Sequence, residues 1–304
     1  MKTASLTVNW GSPRDTVEAL HSLASMTPPP DLIICVDNGS SAEHVSELRA
    51  GMPTDTILIE LPDNRGVAAA NNIGMEYAIA NGVDWTLFLN NDAKVSADCL
   101  ERCMAESRTG DRIAIVGPAI TFATRPDSLW FGGGYVSDWF AFSRHQGLNK
   151  PVGAVPPSSD CGYIPACCAL LSSAAWRSIG EFRSDYFMYY EDTEWCIRAR
   201  ADGWVCRYLG EVLCSHAVSA SGGQRGSLGL TENMAYYLAR NPLRFALETK
   251  NWVQRGSRVL GLVSVYGSFN AWRVWQSRDA AIAFAYLQGL LDAARGRMGR
   301  RMAA

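Results

Sequence analysis

The sequence predicts an α/β fold: a mostly parallel, doubly wound central sheet with flanking helices, followed by a helical extension. Three observations predict it. Strand, polar turn and helix recur three times before residue 92, the signature of strands joined by helical crossovers. The run Leu32 to Val36 is short and continuously apolar, as a parallel strand covered on both faces is. After Thr231 the remainder has helical character.

In order, Ala4 to Trp10 reads as the first strand, broken by Ser12-Pro13-Arg14-Asp15. Asp15 is placed to cap a helix whose apolar positions are Val17, Leu20, His21 and Leu23-Ala24. Pro28-Pro29-Pro30 stops that helix. Leu32 to Val36 is the second strand and ends in Asp37-Asn38-Gly39-Ser40-Ser41. Ile57 to Leu61 is the third, ending at Pro62-Asp63-Asn64-Arg65-Gly66, and an alanine-rich helix follows over 67–80. Asp84 to Leu89 is the fourth strand, ending in Asn90-Asn91-Asp92. Doubly wound sheets bind ligands outside the carboxyl ends of their strands. The turns at Asp37, Asn64 and Asn90–Asp92 therefore converge on one crevice.

From Ile113 the pattern loosens. Trp130-Phe-Gly-Gly-Gly-Tyr135 and Trp139-Phe140 suggest irregular strands and a long loop through Pro157. Ala174 to Ile179 reads as a short helix ended by Gly180. The stretch Asp185-Tyr-Phe-Met-Tyr-Tyr-Glu-Asp-Thr-Glu-Trp-Cys-Ile-Arg198 passes from aromatic residues into a helix starting near Asp192 and closing at Gly203. Carboxylates at its start suit the positive end of the helix dipole and are aimed off a rigid element. A solvated, acidic first turn is the plainer alternative. Val205 to Tyr208 and Val212 to His216 read as two short strands, Ser219 to Gly226 as a loop, and the final helices as broken at Asn241-Pro242.

Over 304 residues, 48% are hydrophobic, enough for a full core, and the net charge of −2 argues against a general nucleic-acid binder. Nine cysteines without a paired framework point to reduced thiols and a cytoplasmic protein. The N-terminus runs straight into a strand without a charged leader and apolar core, and no apolar run reaches transmembrane length.

Asn90-Asn91-Asp92 presents a carboxylate at a strand end, where a hard divalent cation can take oxygen ligands together with substrate phosphates. An ordinary Asx-rich turn is the alternative. Asp37 can accept from a nucleobase or ribose, or cap its own turn. Gly66 and the alanines after it allow close backbone approach, and the helix N-terminus behind them favours a phosphate. The segment is neither a G-x-G-x-x-G fingerprint nor a Walker loop. His216 ends an apolar run and is either a satisfied core histidine or a ligand beside a metal or diphosphate.

Nine pieces stand in one order: Val8-Asn9-Trp10; Val36-Asp-Asn-Gly-Ser40; Asn64-x-Gly66 with Asn71-Asn72-x-Gly74; Leu89-Asn-Asn-Asp92; Ile179-Gly-Glu-Phe182; Phe187-x-Tyr-x-Glu-Asp-x-Glu194 with Arg198; Gly203; His216; and Arg240-Asn241. Together they resemble the family 2 glycosyltransferases, inverting enzymes of the GT-A fold, and most of all their bacterial rhamnosyltransferase-like branch. The resemblance spans roughly residues 4 to 245. It implies a catalytic GT-A domain over 1–226, with a nucleotide-sugar half about 1–120 and an acceptor half about 121–226, and a helical region over 227–304.

The resemblance also implies roles. Asp37 would contact the uracil or thymine of the donor, with Asn9, Asn64, Gly66, Asn71, Asn90 and Asn91 lining the donor pocket. Asp92 would hold a magnesium or manganese ion on the diphosphate, with His216 beside it. Asp192 would be the general base with Glu191 adjacent, and Trp130, Tyr163, Trp195 and Arg198 would lie on the acceptor side. Two departures stand out. Asn90 occupies a position where the family often has an acid, and Ala166 one where this branch commonly has glycine.

The implied reaction is metal-assisted, inverting transfer of a sugar, rhamnose first, from a dTDP or UDP donor. The acceptor would be a hydroxyl of a glycan or lipid-linked molecule in cell-surface polysaccharide synthesis. A nucleotidyltransferase would carry a glycine-rich basic loop after its first strand, which Asn9-Trp10-Gly11-Ser12-Pro13 lacks. A non-catalytic nucleotide-sugar scaffold would be expected to lose the base. Arg258 to Trp275 is apolar and aromatic, and Arg295, Arg297, Arg300 and Arg301 close the chain. That tail reads either as a peripheral membrane contact on the inner face of the cell membrane or as helices packed on the core or forming a homo-oligomer interface.

Overall fold

The structure, a computed structural model, describes residues 1–137, 139–140, 142–218 and 230–301. The elements run β1 Thr3–Asn9, α1 Pro13–Ala24, β2 Leu32–Asp37, α2 Ala42–Gly51, β3 Thr56–Glu60, α3 Val67–Ala80, β4 Trp85–Leu89, β5 Ala93–Val95 and α4 Cys99–Glu106. Then come β6 Ile113–Phe122, β7 Arg125–Phe131, β8 Gly134–Val136, β9 Ser143–His145, β10 Ser159–Asp160, β11 Cys168–Ser172, α5 Ser173–Ile179, α6 Glu191–Ala201 and β12 Val205–His216. Four α-helices follow among the described residues: α7 Glu232–Leu247, α8 Trp252–Gly261, α9 Ser268–Ser277 and α10 Ala280–Arg295, with a π-helical turn at Leu262–Gly267 joining α8 to α9.

Ten strands form one sheet along the path β10-β12-β6-β11-β4-β1-β2-β3, with β5 on β12 and β7 on β6. β1 pairs parallel with β2 and β4, β2 with β3, and β6 with β12; β11 runs antiparallel between β4 and β6. β8 and β9 make a separate hairpin. The predicted mostly parallel sheet with flanking helices is present, and so is the helical C-terminal region.

The apolar runs become the core because the central strands are covered on both faces. Leu6, Ile34, Val36, Leu87, Phe88, Leu170 and Leu171 are all buried in it. Because β1 lies between β2 and β4, the sheet's winding direction switches there. A crevice opens at such a point beyond the carboxyl ends. Gly74 in α3 packs directly on Leu6, where an added Cβ would sit 2.3 Å from Cδ1.

Several local expectations change. The first helix begins at Pro13 after Ser12, so Asp15 lies in its first turn and does not cap it; the buried face is Pro13, Thr16, Ala19, Leu20 and Leu23, with His21 exposed. α2, β5 and α4 fill stretches in which no element was expected. The loose region after Ile113 holds a ten-residue strand, β6, followed by β7, β8 and β9. The two short strands expected at 205–208 and 212–216 are one strand, β12, with a register shift between Leu209 and Val212. α7 runs straight through Pro242. The loop expected over 219–226 lies outside the described residues. All nine cysteines are free thiols, and eight are buried.

Candidate active site

The crevice floor is built from short polar side chains that hold one another. Asn9, fully buried at the end of β1, donates from Nδ2 to Asp37 Oδ1 at 2.7 Å and accepts from Thr16 Oγ1 at 2.7 Å. Asp37 Oδ2 accepts the Ser40 N–H at 2.9 Å. Thr16 also accepts from Asn91 Nδ2 at 3.2 Å, so the ends of β1, β2 and β4 are tied together. A carboxylate offers about four lone-pair directions, so Asp37 retains acceptor capacity for a ligand.

Beside it, Asn38 Nδ2 donates to Asn64 Oδ1 at 3.1 Å, and Asn38 Oδ1 accepts the Arg65 N–H at 2.9 Å. Asn64 Oδ1 also accepts the Gly66 N–H at 2.9 Å. Gly66 has φ of 88°, and a Cβ there would lie 2.5 Å from Phe187 O. The close approach read from Gly66 is thus to the protein's own 187 loop. Asn71 is buried on α3, while its neighbour Asn72 clips the Phe182 backbone through both side-chain atoms.

Asp92 follows β4, and His216 ends β12, where it pairs with Ala93. Their side chains are 5% and 9% exposed, and His216 Nε2 lies 3.0 Å from Asp92 Oδ1. His216 Nδ1 is buried without a hydrogen-bond partner. One carboxylate oxygen and one imidazole nitrogen at this spacing fit adjacent positions around a divalent ion, because ligands about 2.1 Å from one centre at a right angle stand about 3 Å apart. Among the described residues, no three His, Cys, Asp or Glu side chains cluster for a metal. Two protein donors leave coordination positions for phosphate oxygens and water. Asp15 adds charge nearby: burial, and next Asp92, push its carboxyl above the ordinary range.

The acidic stretch reaches this place through two hydrogen bonds to one short segment. Ala166 N–H donates to Asp192 Oδ2 at 3.2 Å, and Asn90 N–H donates to Cys167 O at 2.9 Å, so adjacent residues of one segment bond Asp192 and the strand end two residues before Asp92. Burial pushes the Cys167 thiol well up, and the charges of Asp92 and Asp192 push it further. The Tyr189 phenol is raised to about 12, first by burial and then by Glu191 and Asp92. The Cys167 thiol thus feels both Asp92 and Asp192, and the Tyr189 phenol both Glu191 and Asp92. The alanine at 166 leaves the bond to Asp192 intact, because the backbone makes it.

Asp192 Oδ1 accepts the Thr193 N–H at 2.6 Å and the Thr193 hydroxyl at 3.2 Å. Burial raises the Asp192 pKa against the opposing effect of these bonds. Glu191 is more deeply buried, and its Oε2 has no partner. Burial, and next the Asp192 charge, push it up to about 8. Burial pushes both carboxyls the same way, and Asp192 is the one whose backbone and hydroxyl donors oppose that push.

The loop presenting these acids is strained. Phe187, Tyr189 and Tyr190 have φ of 67°, 64° and 76°, a region that costs non-glycine residues about 1–3 kcal/mol each. Sequence reasoning assigned no role to what holds it. Asn241 Nδ2, fully buried on α7, contacts the carbonyls of Tyr186, Met188 and Tyr189 at 3.1, 2.8 and 2.7 Å. Arg240, also fully buried, donates to Tyr186 O at 2.8 Å and to Gly299 O at 2.6 Å. The only signal was the Arg240-Asn241 pair itself.

Of the acceptor-side residues, Trp130 lies with its ring 4.6 Å from His216 and 4.3 Å from His145. Tyr163 is buried against Phe131 and His145. Trp195 and Arg198 belong elsewhere. Trp195 is fully buried among Trp176 and Phe182 and donates to Gly180 O at 2.8 Å. Arg198 donates to Glu194 Oε1, Ile179 O and Glu181 O, fastening α6 to the end of α5. Both maintain the frame behind the acids and are removed from the acceptor set. A cavity of about 440 Å³ bounded by Arg144, Gln146, Leu148 and Lys150 touches none of the crevice acids.

Comparison with known proteins agrees with this architecture. The chain is 29% identical over 185 residues to the pre-mycofactocin glycosyltransferase of Mycobacterium tuberculosis, covering 60% of this chain and 37% of that protein. It is 23% identical over 167 residues to the dTDP-rhamnosyl transferase RfbF of Shigella flexneri, covering 53% and 52%. It is also 23% identical over 276 residues to the N-acetylglucosaminyl-diphospho-decaprenol L-rhamnosyltransferase of M. tuberculosis, covering 79% and 85%. The chain thus spans about half or less of the first two relatives. In structure it resembles the mannosyltransferase PcManGT of Pyrobaculum calidifontis in complex with GDP-Man and Mn2+, at a TM-score of 0.56 and 12% identity over 97% of this chain and 86% of that one. GalNAc-T7 with UDP, GalNAc and Mn2+ gives 0.59 and 12% over 89% and 57%. These likenesses carry the fold, which is GT-A. The family model for glycosyl transferase family 2 matches residues 10–175, more than half of the chain, so the chain belongs to that family.

Proposed function

We propose that this protein is an inverting glycosyltransferase that moves a sugar, rhamnose first among candidates, from a dTDP- or UDP-linked donor. The acceptor is a hydroxyl of a glycan or lipid-linked molecule in cell-surface polysaccharide synthesis, on the cytoplasmic side. The carrying observation is that the segment Ala166-Cys167 bonds both Asp192 and the strand end at Asn90, two residues before the paired Asp92 and His216. The two rhamnosyltransferase relatives support the sugar, and the dTDP-rhamnosyl transferase RfbF supports the carrier. In this reading, residues 1–120 hold the donor, 121–226 face the acceptor, and the C-terminal helices brace the base.

The chemistry follows from three needs. The asparagine–aspartate floor of Asn9, Asp37, Asn64 and Asn91 receives the nucleoside, with Asn90 beside the diphosphate. Asp92 and His216 would hold a magnesium or manganese ion, which would offset charge growing on the leaving diphosphate. Asp192, held by Ala166 and Thr193, takes the proton of the acceptor hydroxyl as that oxygen attacks the anomeric carbon. The carbon–oxygen bond to the diphosphate breaks on the opposite face, so the anomeric centre inverts. Strapping the loop to Arg240 and Asn241 keeps the base from drifting out of line.

The test uses two measurements. Thermal shift with UDP, dTDP and GDP, with and without manganese, reads the donor floor; metal-dependent stabilisation by a uridine or thymidine diphosphate is expected. Asp192→Asn should keep that stabilisation and lower transfer at least ~100-fold, the scale of a lost general base. Near wild-type turnover in this variant would refute the assignment.

A further inference from the structure

We propose that α8, α9 and the 139–140 loop form a docking surface for an anionic lipid bilayer. The proposal rests on the reading above and deepens it, because it selects a lipid-linked acceptor over a soluble glycan.

Charge is divided unevenly along the chain. Residues 249–304 hold nine basic and two acidic side chains, net +7, whereas residues 1–248 hold nineteen and twenty-eight, net −9. Both acids of the tail are already engaged. Asp279 Oδ1 accepts two N–H groups at the start of α10, and Asp292 accepts the Tyr236 hydroxyl at 2.8 Å. Lys250, Arg255, Arg278, Arg295, Arg297 and Arg300 are exposed.

The same helices expose aromatic surface that the core leaves uncovered. On α8, Trp252 is 81% exposed, and Leu260, two turns on, shares its face. On α9, Trp272 and Trp275 stand one turn apart, the latter 75% exposed. Trp139 and Phe140 join them: Ser257 Oγ donates to Trp139 O at 2.7 Å, and Gly261 packs so closely on Phe140 that a Cβ would lie 2.3 Å from the Phe140 Cβ. Tryptophan favours the membrane–water boundary, and basic residues beside it favour anionic headgroups. No helix among the described residues is long and apolar enough to cross a membrane, so the surface lies on the bilayer. A second copy fits this face poorly, because two tails of net +7 would meet. The loop carrying Trp139 belongs to the acceptor half, so docking brings that half to the lipid.

The experiment is co-sedimentation of the full chain with phosphatidylcholine vesicles, with and without phosphatidylglycerol. Binding to the anionic vesicles alone, weakening with salt, is expected. The triple variant Trp252→Ser/Trp272→Ser/Trp275→Ser should bind at least ~10-fold more weakly, since each aromatic anchor removed exposes less apolar surface to the bilayer. Because these side chains are exposed, the variant should melt with the wild type and keep any nucleotide-dependent shift. No binding, equal binding to neutral vesicles, or a wild-type dimer that the variant converts to monomer would overturn the proposal. Vesicle binding without any nucleotide shift would leave the surface standing and reject the transferase reading instead.

Discussion

Replacing Glu191 with glutamine separates the two acids of the pair. The wild-type carboxyl is pushed up to about 8 by burial, whereas in the unfolded chain it titrates near an ordinary glutamate, about 4.3. Below the unfolded value both states are protonated, and the buried neutral acid costs nothing by linkage. As pH rises through the unfolded value toward 8, folding must keep a proton that the unfolded chain has released, so stability falls across that window. At neutral pH the penalty is on the order of 4 kcal/mol, since each unit of displacement is worth about 1.4 kcal/mol. Glutamine keeps the shape and cannot ionise, so Glu191→Gln should remove that penalty. For a chain of this size, the melting temperature should rise by about 5 °C near neutral pH and hardly at all near pH 4. Scanning calorimetry of both proteins across this range reads the effect directly. Transfer should stay within about tenfold of wild type, because the neutral amide imitates the protonated acid and Asp192 remains the base. A variant that melts with the wild type at every pH, or loses activity as Asp192→Asn does, would refute the reasoning.

Asp92→Ala and His216→Ala should each abolish the manganese enhancement of nucleotide binding, measured by thermal shift, while leaving the metal-free fold; an unchanged manganese titration would remove these residues from the metal site. Asn241→Ala deprives the strained loop of its contacts at three carbonyls and should cost about 2 kcal/mol, the scale of buried polar groups left unpaired. Limited proteolysis should then cut within 186–190 faster than in the wild type, and equal cutting rates would show that the loop holds itself.

The sheet's parallel half was legible because each of its strands is an apolar run ended by a polar turn. α3, α5 and α6 were legible through their alanine content, Gly180 and acidic start respectively. α2 was not, because it buries only Leu48 and therefore shows no apolar stripe. β6 hid behind Gly117 and Pro118, residues that usually end a strand, though here the strand continues between β11 and β12. β12 looked like two strands because Gly210 interrupts it; a Cβ there would strike Pro156 O at 2.5 Å, so the glycine marks a close crossing. Trp195 and Arg198 show the limit of motif reading: they stand one and two turns past the acids, yet Trp195 faces the core and Arg198 is engaged by the end of α5.

Pro242 shows why the catalytic stretch could not be understood locally. A proline inside a helix removes one backbone bond and costs about 3 kcal/mol, so the sequence was read as a break at Asn241-Pro242. The helix continues because its neighbour works across the fold. Asn241, with its side chain wholly inside the protein, satisfies the carbonyls of a loop more than fifty residues upstream. That loop adopts three left-handed residues that no aromatic side chain favours. Local propensity is violated at both places, and each violation is stabilised by the other through buried hydrogen bonds. The geometry that aims Glu191 and Asp192 is therefore a property of the pair of segments. This ties the C-terminal helices to the proposed chemistry, whatever surface their outer faces meet.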